Sequence, residues 1–162
     1  MDAWSLFWRQ GHFTTFGKYF EKGYAGTIKE WLESLPPQLE TFTDRLQVLE
    51  LCCGNGSLVP FLLSLNNEFD YIGIDAAKVA LPISIRETIR GSASTAKLLS
   101  ETCAEDLPDD LEAISLCLSI YGIEYSPLEA TLAGLLNRME PDGKLFALLH
   151  HKESVVAKMS SR

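Results

Sequence analysis

A chain of 162 residues, 46% of them hydrophobic, has enough apolar side chain for one core of the size found in single domains of about 100–200 residues. Its 22 acidic and 14 basic residues leave a net charge of -8, and the long-range repulsion this sets up argues against nucleic acid as a partner. No apolar run approaches the roughly 20 residues that cross a bilayer, and Cys52, Cys53, Cys103 and Cys117 lack the C-x-x-C spacing of zinc and redox sites, so the expectation is a cytoplasmic protein with reduced thiols, no membrane contact and no metal.

Residues 1–45 read as an N-terminal helical cap. They are aromatic and glycine-punctuated through Tyr24, then amphipathic from Thr27 to Leu35, and they stop at Pro36–Pro37. From Leu46 onward short apolar runs alternate with helical segments, the pattern of a parallel sheet with crossover helices. The runs are Leu46–Cys52, Tyr71–Asp75, Lys97–Leu99, Ala113–Leu118 and Lys144–Leu149, and the helical segments are Leu58–Leu65, Val79–Ile89 and Pro127–Met139. Pro141-Asp142-Gly143 is turn chemistry leading into the last run. Residues 46–162 are therefore expected to form a single compact α/β domain.

The first run ends in Glu50-Leu51-Cys52-Cys53-Gly54-Asn55-Gly56-Ser57, a strand that enters a glycine-rich turn before a helix. Ligands of open α/β sheets bind at this carboxyl edge. Gly54 and Gly56 admit positive φ and close approach to the backbone, although a tight turn with no ligand explains two glycines equally well. A dinucleotide loop usually carries a third glycine where this chain has Val59, and the carboxylate of Glu50 would repel a diphosphate. That carboxylate suits a ligand with an amino group and a sulfonium instead. Asp75 closes the second run, roughly 20 residues past Gly56, where an acidic side chain can accept from both hydroxyls of a ribose or cap the following helix.

With these residues in order, residues 40–152 resemble the class I S-adenosylmethionine-dependent methyltransferases. Glu50-x-Cys52-x-Gly54-x-Gly56 resembles their first motif and Asp75-Ala76 the second. Ala104-Glu105-Asp106-Leu107-Pro108 is similar to the stretch after the third strand, Leu111 to Ser119 to the fourth strand, and Glu140-Pro141-Asp142-Gly143 to the turn into the fifth. The resemblance implies a Rossmann-like, doubly wound, mostly parallel sheet of order 3-2-1-4-5. It implies S-adenosylmethionine as cofactor and S-adenosylhomocysteine (SAH) as product. Glu50 and the loop Cys52, Cys53, Gly54 and Gly56 would hold the methionine part, Asp75 and Ala76 the ribose, and Ala104 and Glu105 the adenine, with Ser119 completing the lining. Three departures stand out: Cys52 replaces the first glycine, Cys103 stands where many relatives have an acid, and only residues 152–162 follow His150–His151, so the fold is expected to stop after its fifth strand.

The function implied is methyl transfer to a small-molecule or protein acceptor. A non-catalytic S-adenosylmethionine-binding module of shortened fold and an NAD-dependent oxidoreductase are the alternatives. Methyl transfer from a sulfonium needs mainly an in-line approach, so no catalytic side chain is assigned. Ser119, Tyr121, His150 and His151 lie near the expected cleft mouth, each also readable as structural, and Tyr125 is as ready to pack as to line a pocket. The aromatics Trp4, Phe7, Trp8, Phe13, Phe16 and Tyr19 read as core, or as a lid from which Arg9 pairs with the methionine carboxylate. The apolar fifth strand would be left as a sheet edge, so the expectation is either a fragment of a longer protein or an edge covered by a partner, most simply in a homodimer.

Overall fold

In the computed structural model, residues 3–12, 15, 24–35, 39, 42, 45–65, 67–151 and 153–154 are described. Among them five strands form, β1 (Leu46–Leu51), β2 (Phe69–Asp75), β3 (Thr95–Ser100), β4 (Ile114–Ile120) and β5 (Met139–Leu148). All neighbours pair in parallel, in the order β3-β2-β1-β4-β5. The α-helices among the described residues are α1 (Ala3–Arg9), α2 (Tyr24–Glu33), α3 (Val59–Leu63), α4 (Ile83–Arg90) and α5 (Leu128–Leu136).

Successive side chains of a strand face opposite ways, and here both faces are apolar. Leu46, Val48, Phe69 and Tyr71 pack with Leu58, Val59 and Leu62 around α3, and Leu35 and Leu39 of the N-terminal region join that same layer. On the other face Leu49, Leu51, Ile74 and Cys117 meet Leu135 of α5 together with Leu107, Leu111 and Ile123. A parallel sheet covered on both faces is the doubly wound arrangement expected from the alternating runs. Strand order reverses at β1, so the cleft of such a sheet opens at the carboxyl ends of β1 and β4.

The opposite end is fastened by ions. Arg45 grips Asp70 with two donors at 2.7 and 2.8 Å, and Thr95 and Gln47 donate to the same carboxylate. These bonds, the one from Arg45 first, hold the Asp70 carboxyl well below the usual range.

Two local expectations change. The helix read from Val79 starts only at Ile83, behind Pro82, because the preceding backbone N–H groups are used elsewhere. Lys78 N donates to Ser5 Oγ, Val79 N to Ser100 Oγ and Ala80 N to Asn55 Oδ1, and these bonds hold the segment extended against its neighbours. Pro141-Asp142-Gly143 does not precede the last strand but lies inside it, as a bulge between the pairs Ile114–Met139 and Leu116–Lys144. Gly143 suits the bulge, since a Cβ there would come within 2.8 Å of Ile114 O. No helix among the described residues is long and apolar enough to cross a membrane.

Candidate functional site

The chain leaves β1 through a turn with three left-handed residues, Cys52 (φ 58), Gly54 (φ 51) and Gly56 (φ 76). Glycine adopts this conformation freely, whereas an L-residue costs about 1–2 kcal/mol there. Cys52 meets that cost beside Gly122, where a Cβ would collide with its own Cβ. The first-glycine position can thus hold a side chain because the loop after β4 lacks one.

Each glycine that remains is pressed by a neighbour. A Cβ on Gly54 would come within 2.6 Å of Trp8 Cζ2, and one on Gly56 within 2.6 Å of Leu81 Cδ2. Trp8 is 9% exposed, so its indole is a buried plate lying over the loop. Asn55 holds it there by donating to Trp8 O at 3.0 Å and His12 O at 2.7 Å. Of the aromatics read as core or lid, Trp4, Phe7 and Trp8 cluster on α1, while Phe13, Phe16 and Tyr19 lie outside the described residues.

Asp75 stands at the end of β2 and fixes the turn from the side. Its Oδ2 accepts from Gly54 N at 2.9 Å and its Oδ1 from Ala77 N at 2.8 Å, with Ala76 exposed beside it. Asp75 therefore both caps the following segment and faces the loop. Glu50 lies deeper, 2% exposed. It is paired in register with Gly73, whose missing side chain leaves room for the Tyr71 hydroxyl to donate to Glu50 Oε2 at 2.6 Å. Burial pushes the Glu50 carboxyl up to about 8, the Tyr71 hydrogen bond pulling it back and the Asp75 charge adding to the rise.

Across the cleft Ser119 is fully buried, its hydroxyl donating to Leu51 O at 3.0 Å and accepting from Ile123 N at 3.1 Å. It ties the end of β1 to the turn that follows β4. Cys53 and Ala104 are buried, and Glu105 is half-buried. The Cys52 thiol is pushed up to about 12 by burial and then by the carboxylates of Asp75, Glu124, Glu50 and Glu105. Asp75 and Glu105 are half-buried at the carboxyl ends of β2 and β3, Glu50 lies buried beneath, and Glu124 is on the turn after β4. The carboxylates of Asp75 and Glu105 are acceptors that fit a ligand with a positive charge and hydroxyl groups and oppose a pyrophosphate. Of the residues singled out near the mouth, Tyr121 and His150 stand together, ring centroids 4.2 Å apart. His151 is exposed and accepts from Glu153 N. Glu124 was not foreseen, because a single acid in a short turn has no spacing signature.

No family model matches the sequence, and no curated protein matches it. Solved structures do. The plantazolicin methyltransferase BpumL, in complex with SAH, is similar at 15% identity and TM-score 0.62, over 89% of this chain and 55% of that one. A putative S-adenosylmethionine-dependent methyltransferase from Methanococcus maripaludis is similar at 12% identity and TM-score 0.59, over 80% and 58%. One from Leishmania major is similar at 13% identity and TM-score 0.58, over 89% and 58%. The chain spans a little over half the length of these proteins.

Proposed function

This chain has the fold of the class I S-adenosylmethionine-dependent methyltransferases, and from that premise we propose that it binds S-adenosylmethionine at the carboxyl ends of β1, β2 and β4 and transfers its methyl group to a small-molecule or protein acceptor. The observation that carries the reading is the left-handed turn after β1, which Asp75 at the end of β2 fixes by accepting from Gly54 N at 2.9 Å. The cofactor would supply an electrophilic methyl group on a sulfonium. Asp75 would accept from the ribose hydroxyls, as a carboxylate at the end of β2 can. Ala76 lies beside that contact. Ala104 and Glu105 would line the adenine, and the backbone of Cys52, Cys53, Gly54 and Gly56 the methionine part. Glu50 supports the loop from beneath as a buried carboxyl, and Ser119 keeps the two walls of the cleft at a fixed distance. Alignment of acceptor with methyl group supplies most of the rate, so rigid walls matter more here than an acid or base.

The free thiols of all four cysteines suit a reducing cytoplasm. The β5 edge suits pairing with a second copy of the chain. One observation favours a second reading, a non-catalytic module that keeps the shape: the Trp8 indole covers Gly54. Calorimetric titration with SAH and with NAD tests the cofactor, and turnover of an acceptor once SAH binding is shown separates an enzyme from a binding module. SAH should bind at millimolar concentration or below and NAD should not, whereas absence of SAH binding would remove the methyltransferase reading.

A further inference from the structure

Glu124 lies on the 3-10 turn Ile123–Tyr125 that follows β4. Its Oε1 accepts from the backbone N–H of His150 at 3.1 Å, just beyond β5. Its Oε2 is shielded from solvent and has no hydrogen-bond partner among the described residues. No lysine or arginine among them pairs with it either. A carboxylate oxygen kept from water and left unpaired carries a desolvation penalty that a donor on a ligand would remove.

Aromatic rings border this oxygen's turn. Tyr121 and His150 stack at 4.2 Å and 13°, and Tyr125 meets His150 edge-on at 6.5 Å and 68°. Tyr121 holds a left-handed backbone (φ 51) that fixes where its ring projects, and Tyr125 is 63% exposed. A carboxylate beside aromatic rings receives an ammonium group best, through a charge-assisted hydrogen bond and cation–π attraction. An alcohol gains only a weaker hydrogen bond there, and an acid is repelled.

We propose that Glu124, with Tyr121, Tyr125 and His150, forms the acceptor subsite, and that the methyl acceptor is an amine. The assignment rests on the cofactor reading above. The bound ammonium gives one proton to the Glu124 carboxylate, and the freed nitrogen lone pair forms the new N–C bond. The S–C bond breaks with its electron pair left on sulfur. The methylated nitrogen departs as a cation, and Glu124 returns its proton to water.

The test uses three aromatic probes of similar size, benzylammonium, benzyl alcohol and benzoate, titrated into the protein after saturation with SAH. Benzylammonium should bind about ten-fold or more tightly than benzyl alcohol, the ratio expected when a charge-assisted hydrogen bond replaces a neutral one, with benzoate weakest. Glu124→Gln should abolish the preference while leaving SAH affinity unchanged, and Tyr125→Leu should weaken benzylammonium but keep the order. Equal binding of the three probes to the wild-type protein, or an undiminished preference in Glu124→Gln, would overturn the amine assignment and leave the cofactor reading standing. A loss of SAH affinity in Glu124→Gln would place the residue on the cofactor's side and overturn it as well. Failure of the wild-type protein to bind SAH would overturn both.

Discussion

Cys52 and Gly122 form a matched pair. The first carries a side chain at φ 58, and the second has none where one would strike it. Gly122→Ala should therefore destabilise the protein by about 1–3 kcal/mol, the usual cost of forcing an extra methyl into a packed site. In a Cys52→Gly background the same change should be tolerated, and Cys52→Gly alone should regain part of the backbone strain. Urea unfolding of the two single variants and the double variant measures the coupling, and a coupling energy near zero would show that the residues do not share one space. Cys52 was legible in the sequence because the surrounding motif marks the position as a glycine site. Gly122 was not, since its reason lies in another loop and no local pattern reports it. Glu50 was chosen for its charge, yet its surroundings depend on the pairing Glu50–Gly73, which puts the Tyr71 hydroxyl against it. Strand alternation places Tyr71 and Gly73 on one face without saying that Glu50 will lie there too.

The central strands β1, β2 and β4 were legible as elements, because each is a largely buried apolar run, whereas the edge strands β3 and β5 hold no buried residue and showed only their short apolar cores, Lys97–Leu99 and Lys144–Leu149. Helix starts were less so. Pro82 correctly marks a first turn, but Val79 and Ala80 look helical until Ser100 and Asn55 claim their N–H groups. Pro141-Asp142-Gly143 reads as a turn between elements and becomes a bulge within one, since Met139 already pairs with Ile114 before the turn begins. At the N-terminus α1 was read as core or lid, and Trp8 has features of both, being buried and lying on the glycine loop. A ligand that reaches the Gly54 backbone must displace this indole. Addition of SAH should therefore change the tryptophan emission, and Trp8→Phe should lose most of that change. Unaltered emission at saturating SAH would mean that the ligand leaves α1 in place.

Across the whole molecule the charge of -8 and the half-buried carboxylates Asp75, Glu105 and Glu124 at one sheet edge act together. The first disfavours polyanionic partners, and the second makes the cleft mouth attractive to cations. The same sheet exposes a different surface at its side. Among the described residues β5 has a neighbour only in β4, and Leu145 and Leu149 are 36% and 51% exposed. An apolar strand edge of this kind favours pairing, so light scattering should show a dimer at high protein concentration, and charge placed at Leu145 should dissociate it. A monomer at every concentration would exclude the pairing. The binding cleft is the claim from which the rest follows, and the affinity of SAH for the wild-type protein and Asp75→Ala tests it most directly. The wild-type protein should bind, and the folded variant should bind about ten- to a hundred-fold more weakly, the loss expected for hydrogen bonds to a charged group. Equal affinity in the two proteins, or none in either, would contradict a cofactor site at the end of β2.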